Sequence, residues 1–246
     1  MFKGSENYYD PIYAKLKNYE AESEKIKNWI QQYNPKASTI LDVACGTGEH
    51  SKYLKYHYKI DGIDINKNFT TIAQSKNPKG TYATGSFVDF KLNKKYDVVM
   101  CLFSAIGYAL SLRELKQTLA CFKKHLNPNG LILIEPWFTP EQWKPGRVSM
   151  VTAETEQFTI CRMNTSELKN GYSFFCFSYL IGSNNKIQCF SEDHTMSLFT
   201  NNDMFEVFRS EGISVFYDEK GLMGRGRKDE VDLFYHVIAK QRPRQC

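Results

Sequence analysis

The sequence predicts an α/β fold: a doubly wound, mostly parallel seven-stranded sheet carrying an inserted antiparallel β cap. Three observations predict it. A β-rich apolar run at 40–43 leads into the glycine turn Ala44-Cys45-Gly46-Thr47-Gly48, a helical stretch and a second strand ending on Asp64, the order of a β-α-β unit. Strand-like and helical runs then alternate with short connections up to residue 134, as expected for parallel strands joined by crossover helices. Between 148 and 199 the rhythm changes to runs of alternating aromatic and β-branched residues, the pattern of half-buried antiparallel strands.

The chain opens with Tyr8-Tyr9-Asp10-Pro11-Ile12-Tyr13, in which Pro11 is expected to separate two short elements. Over 18–32, Tyr19, Ile26, Trp29 and Ile30 share one helical face with charges opposite. A helix at 66–75 and a third strand at 81–83 follow, then Gly85-Ser86-Phe87. Residues 95–103 are almost continuously apolar, which predicts a strand buried on both faces. Its end, Ser104-Ala105-Ile106-Gly107-Tyr108, falls at the sheet edge where ligands bind in such folds. A helix at 112–125, with His125 expected to cap it, leads through the turn Asn127-Pro128-Asn129-Gly130 to a fifth strand at 131–134 and then Glu135-Pro136-Trp137. The cap runs are 148–153, 158–165, 172–181 and 187–199, with hairpin turns expected at Lys169-Asn170-Gly171 and Ser183-Asn184-Asn185. Helix 204–212 and strands 213–217 and 233–239 close the sheet, with a basic, glycine-flanked loop around Arg225 and Lys228 between the last two. The expected organisation is an N-terminal helical arm (1–38), a cofactor-binding core (39–147 and 201–240) and an antiparallel substrate cap (148–200).

The glycine turn is the first chemical signal. Without a Cβ, Gly46 and Gly48 let the backbone turn tightly against a ligand, and Asp64 stands where a carboxylate accepts hydrogen bonds from ribose hydroxyls. A dinucleotide site expects a third glycine where this chain has Ser51, and Asp42 before the turn would repel a pyrophosphate. The acid suits a cationic ligand instead. S-adenosylmethionine, with its sulfonium and ammonium, matches an acid at the loop entrance and another at the ribose.

Length and composition bound the remaining choices. A chain of 246 residues, 42% hydrophobic and 24% charged, can bury a sizeable core and reads as an ordinary globular protein. No apolar run approaches bilayer length and the first residues lack the pattern of a signal peptide, so a cytoplasmic location away from membranes is expected. The cysteines at 45, 101, 121, 161, 176, 189 and 246 form no C-x-x-C pair, which argues for reduced thiols and against a zinc site, so no metal is expected. A net charge of +5 permits an anionic substrate without demanding nucleic acid. Oligomeric state is not encoded in any local pattern, and a homodimer is one option left open.

Together, LDVACGTGEH, GIDIN, CLFSAIGY, HLNPNG with LILIEPWF, FSEDHTMSLFT and GRG run in order along nearly the whole chain. The chain thereby resembles the class I, Rossmann-like S-adenosylmethionine-dependent methyltransferases, and among them the N-methyltransferases of nucleotide-linked amino sugars, of the dTDP-3-amino-3,6-dideoxyhexose N,N-dimethyltransferase type. The resemblance implies the cofactor S-adenosylmethionine, the product S-adenosylhomocysteine and a small-molecule substrate, a dTDP-amino sugar. It implies that Ala44, Gly46 and Gly48 line the methionine end of the cofactor, that Asp64 with Ile65 holds the ribose, and that Tyr19 and Phe103 lie nearby. Ser104 follows Phe103, Tyr108 lies close to the reacting amine, Glu135 and Trp137 form the pocket floor, and Arg225 approaches the sugar nucleotide's pyrophosphate. One departure falls at Ser86, where the family has an aspartate facing the adenine amine; Ser86 and Phe87 take that place here.

Methyl transfer asks a protein to align the nucleophile, exclude water and present the amine unprotonated. Tyr108, Glu135 and His194 are the candidates to accept or relay the amine's proton, and Tyr9 and Tyr13 are candidates to fold over the site. The expected mechanism is one of proximity and desolvation with no indispensable base. Two alternatives share the cofactor site. Methylation of another small amine or a peptide N-terminus needs no Arg225, and a nucleic-acid methyltransferase carries an Asn/Asp-Pro-Pro-aromatic element where this chain has Phe103-Ser104-Ala105-Ile106.

Overall fold

A computed structural model describes residue 2, residues 4–218 and residues 236–241. The expected parallel α/β sheet and the separate antiparallel sheet are both present. Strands β1 (Thr39–Val43), β2 (Lys59–Asp64), β3 (Tyr82–Thr84), β4 (Tyr96–Cys101) and β5 (Leu126–Ile134) run parallel, in the spatial order β5-β4-β1-β2-β3. Four further strands, β6 (Val148–Glu154), β7 (Thr159–Lys169), β8 (Tyr172–Ser183) and β9 (Lys186–Ser197), form an antiparallel meander. The central sheet is completed by β10 (Ile213–Asp218) and β11 (His236–Gln241), β11 pairing antiparallel with both β5 and β10.

Strand order reverses between β1 and β4. A crevice therefore opens beyond their C-terminal ends, where the chain leaves for helices on opposite faces. The alternation in Thr39–Val43 explains the two layers of core. Ile40 packs on one face with Ile26, Trp29, Ile30 and Leu54. Leu41 and Val43 pack on the other with Val99, Leu119, Phe122 and Phe208. The helices start where side chains satisfy their free N–H groups. Asn18 caps α2 (Tyr19–Tyr33), Asn66 caps α4 (Lys67–Lys76), Ser111 caps α5 (Leu112–Lys124), and Thr200 forms a capping box with Asp203 on α6 (Asn201–Ser210). Between α2 and α4 lies the short α3 (Glu49–Leu54).

Two hairpin turns of the meander take the left-handed backbone at both central residues, Asn170 with Gly171 and Asn184 with Asn185, which matches the twist of the strands they join. His125 closes α5 as expected. Its Nδ1 lies 2.8 Å from the Cys121 carbonyl while Nε2 accepts the Leu92 N–H at 3.0 Å, the pattern of a neutral ring protonated on Nδ1.

Three expectations differ. Pro11 does not divide two elements but sits inside α1 (Tyr9–Tyr13), within the first turn, where a missing N–H costs no helical hydrogen bond. Asn127-Pro128-Asn129-Gly130 does not precede the fifth strand; it is an irregularity within it, where pairing jumps from Tyr96↔Leu126 to Val98↔Leu131. Helix α6 begins at Asn201, ahead of the expected 204, because Thr200 caps it. The start of the expected strand 233–239 lies outside the described residues, and among these no helix is long and apolar enough to cross a membrane.

Candidate active site

The turn after β1 builds the floor of the site. Ala44, Gly46 and Gly48 all have positive φ (56°, 54° and 76°), yet the two glycines do different work. A Cβ on Gly46 would meet nothing within 4 Å, and Gly46 lines a cavity of about 1460 Å³. A Cβ on Gly48 would stand 2.9 Å from the Ala73 Cβ and 3.1 Å from its Cα. Gly48 does not line the cavity; it lets α3 approach α4.

Asp64 ends β2 at the cavity wall, with Oδ2 accepting the Gly46 N–H at 2.9 Å and Oδ1 the Asn66 N–H at 2.8 Å. Burial lifts its pKa above the usual carboxylate value, while backbone N–H groups of Asn66, Gly46 and Ile65 pull the other way. Each oxygen keeps acceptor capacity toward the cavity. An open glycine cradle beside a fixed, two-oxygen acceptor fits a cofactor bearing a ribose diol and a positive charge. Ile65, Gly85, Ser86 and Phe87 continue this wall, and Ser86 Oγ is turned back to accept the Val88 N–H at 3.2 Å.

Asp42 stands behind the turn rather than in the cavity. It is 3% exposed and accepts a hydrogen bond from Ser51 Oγ at 3.0 Å, so the serine in place of a third glycine serves the acid. Burial pushes Asp42 up to about 6, with His50 and Ser51 opposing and Asp64 adding to the rise. Its charge acts on the cavity through the turn.

The segment after β4 is held in an unusual conformation. Phe103 and Ser104 both have positive φ (53° and 59°), which is uncommon outside glycine and marks a constrained site. Glu135 explains it: Oε2 accepts the Phe103 N–H at 2.6 Å, and Ser104 Oγ donates to the Pro136 carbonyl at 3.0 Å. Glu135 is 3% exposed, faces Lys17 at 4.0 Å and does not line the cavity. Its placement is that of a group fixing the Phe103 backbone from behind the cavity wall. Ser104, 1% exposed, is likewise behind the wall.

Lys17 is a buried cation that sequence reasoning passed over. Its Nζ is 2.9 Å from Glu22, whose same oxygen is 2.8 Å from His50 Nε2, and it lies 4.0 Å above the Phe103 ring. It lines the cavity. Tyr19, expected at the cofactor, instead packs edge-on against His50 with ring centroids 5.0 Å apart and does not reach the cavity.

Aromatic residues form the opposite wall. Tyr9 and Tyr13 line the cavity, 4.3 Å apart between centroids, with Phe69 and Phe103 against them. The meander contributes Phe175, Phe177 and Met196, and the segment after β5 contributes Trp137 and Trp143. Tyr108 also lines the cavity, and its hydroxyl is 2.6 Å from His194 Nδ1. His194 itself is 1% exposed behind Tyr108, stacked on Phe175, with its Nε2 buried and unpartnered. Burial above all pushes its pKa down to about 3.

Of the expected site residues, Ala44, Gly46, Asp64, Ile65, Ser86, Phe87, Phe103, Tyr9, Tyr13, Tyr108 and Trp137 meet in one cavity. Tyr19, Asp42, Gly48, Ser104, Glu135 and His194 stand behind its walls, and Arg225 lies outside the described residues. Sequence reasoning missed Lys17, Glu6, Asn66, Trp143 and Arg162. For Arg162 a signal existed: in Ile160, Arg162, Asn164 and Ser166 a charge occupies the inward register of an alternating strand.

Residues 40–130 match the model of a methyltransferase domain. The chain is 32% identical over 221 residues to the dTDP-3-amino-3,6-dideoxy-alpha-D-glucopyranose N,N-dimethyltransferase of Streptomyces fradiae, covering 89% of this chain and 87% of that protein. It is 31% identical to the dTDP-3-amino-3,4,6-trideoxy-alpha-D-glucopyranose N,N-dimethyltransferase of Streptomyces venezuelae, covering 89% and 93%. Among solved structures, the S-adenosylmethionine-bound amino pentose methyltransferase of Micromonospora echinaspora, involved in calicheamicin biosynthesis, superposes with a TM-score of 0.82 at 25% identity, covering 98% of both chains.

Proposed function

The chain belongs to the family of the dTDP-amino-sugar N,N-dimethyltransferases, and on that footing we propose that it transfers one or two methyl groups from S-adenosylmethionine to the amino group of a dTDP-linked amino-dideoxy sugar. One observation carries the reading. The Asp64 end of the sheet and the inner face of the meander open on a single cavity of about 1460 Å³, with Tyr108 on its wall. Pockets that enclose one drug-sized ligand measure roughly 300–1000 Å³, so this larger space has room for a cofactor and a second molecule.

When bound, S-adenosylmethionine supplies an already activated sulfonium methyl. The chain's residues bind, orient and exclude water. Gly46 and Asp64 hold the cofactor end, and Tyr9, Tyr13, Phe103, Phe175 and Phe177 give the second molecule an apolar enclosure. Desolvation there lowers the pKa of an alkylammonium, so the acceptor is favoured as the free amine. His194 cannot hold a proton at neutral pH with its pKa pushed down to about 3. The 2.6 Å contact from His194 Nδ1 therefore orients the Tyr108 hydroxyl. A phenol so fixed accepts a hydrogen bond from the amine and aims its lone pair at the methyl. Placement and desolvation, with no dedicated base, carry the rate.

The four-stranded meander serves as the substrate-side cap. Phe103-Ser104-Ala105-Ile106 after β4 is not the Asn/Asp-Pro-Pro-aromatic element used to hold a flipped base, which favours a small molecule over nucleic acid. The test is incubation with S-adenosylmethionine and a panel of dTDP- and UDP-linked amino sugars, simple amines and a peptide, following product mass. A gain of one or two methyl groups on a dTDP-amino sugar is expected. Methylation of the amines or peptide with none on any nucleotide sugar overturns the proposal.

A further inference from the structure

Among the described residues, Arg162 on β7 has no carboxylate partner. It is 6% exposed, and its Nε and Nη1 are buried with no hydrogen-bond partner. What surrounds it is aromatic: its guanidinium lies 5.0 Å from the Tyr13 ring centroid and 4.4 Å from that of Phe177. Rings compensate the faces of a guanidinium, and the Tyr13 and Tyr179 hydroxyls bond to part of it, but Nε and Nη1 keep no acceptor, and a buried charge in that state is costly unless something supplies them.

Arg162 also lines the large cavity. Its neighbours in the inward register are Asn164 on β7 and, opposite, Ser149 and Val151 on β6, all three cavity-lining. Lys144 and Arg147 line the cavity too, in exposed positions. The acids on the cavity wall come from elsewhere: Glu6 on the arm, Asp64 at the end of β2 and Glu114 on α5. The inner face of the cap thus presents donors and positive charge to an acceptor-rich anion.

We infer that Arg162 is the buried anchor for the diphosphate of the sugar nucleotide, with Lys144 and Arg147 as its exposed approach. The role rests on the sugar-nucleotide reading of the site. A diphosphate has negative oxygens enough to satisfy both nitrogens, and Arg–phosphate contacts combine charge with fixed geometry. Because the rings already hold the guanidinium in place, little side-chain entropy is lost when the anion arrives.

Calorimetry of wild type, Arg162→Gln and Arg162→Lys against dTDP, thymidine and S-adenosylmethionine tests it. Arg162→Gln is expected to weaken dTDP by about 10- to 100-fold and Arg162→Lys by less. Thymidine and S-adenosylmethionine affinities stay within about twofold, and the unliganded melting temperature holds or rises, since an unpaired buried charge has been removed. Equal dTDP affinity in wild type and Arg162→Gln overturns the assignment, as does a parallel loss for thymidine or S-adenosylmethionine. If Arg162→Gln does not fold, the same comparison with Arg162→Lys decides. A wild type that binds no dTDP and methylates no nucleotide sugar overturns the parent reading itself, a result distinct from a wild type that binds dTDP and a variant that binds it equally.

Discussion

At the scale of single residues, Asp42 shows how this chain trades stability for a charge near its cofactor. It sits beneath the glycine turn, 3% exposed, and burial pushes its pKa from 3.8 to about 6. A carboxyl with a raised folded-state pKa binds its proton more tightly when folded. Its favourable contribution is full below about pH 4 and is lost as pH rises through about 6. Asp42→Asn keeps an acceptor for Ser51 and removes the charge. The unliganded protein should gain roughly 1–3 kcal/mol at pH 8 and almost nothing at pH 4, while S-adenosylmethionine binding weakens severalfold. Urea unfolding at the two pH values with calorimetry checks both; an equal gain at each pH would show that ionisation is not the cause. The acid before the turn was legible in the sequence, since a local pattern carries it. Its position behind the wall was not, because that depends on Ser51, nine residues on, turning inward to meet it.

At the scale of elements, the turn from β1 into α3 divides two tasks that its two glycines make look alike. Gly46 and Gly48 share positive φ, so alanine at either costs about 1 kcal/mol for the left-handed backbone. The surroundings differ. Gly46→Ala points its methyl into the open cavity and should lower cofactor affinity at least tenfold with little further loss of stability. Gly48→Ala drives its methyl against the α4 backbone at Ala73 and should destabilise by about 2–4 kcal/mol in total. Thermal unfolding and cofactor titration of the two variants separate the cradle from the hinge of packing; matching losses of stability would refute the division. Regular elements were the most legible part of this chain, because alternation and turn chemistry are local. Asn170-Gly171 and Asn184-Asn185 fall at the expected hairpins. The place of Glu135 behind the cavity wall was not legible, because it depends on the neighbouring β4 exit presenting a backbone N–H that captures its carboxylate.

At the scale of the whole molecule, the N-terminal arm stitches the cap to the sheet across the cavity, and no periodicity foretells the contacts that do so. Toward the cap, Ser5 Oγ donates to Glu192 at 2.8 Å and Tyr8 packs edge-on against Phe158. Toward the cofactor end, Glu6 accepts from Asn66 at 3.1 Å. Asp10 makes the central link: it accepts from the Thr47 hydroxyl of the glycine turn at 2.5 Å and pairs with Lys76 of α4 at 2.6 Å. Since Tyr9 and Tyr13 flank Asp10 and line the cavity, their positions depend on this link. Asp10 and Lys76 are partly exposed, at 33% and 18%, so losing the pair costs global stability no more than about 1 kcal/mol. The larger consequence is local. Asp10→Ala frees α1 from the turn, and the arm then opens at less cost than the rest of the fold. The expected result is a 5- to 10-fold rise in KM for S-adenosylmethionine, faster amide hydrogen exchange confined to residues 9–13, and a melting temperature within a few degrees of wild type. Unchanged exchange in the arm together with an unchanged KM would mean that the aromatic contacts of Tyr9 and Tyr13 hold the arm by themselves.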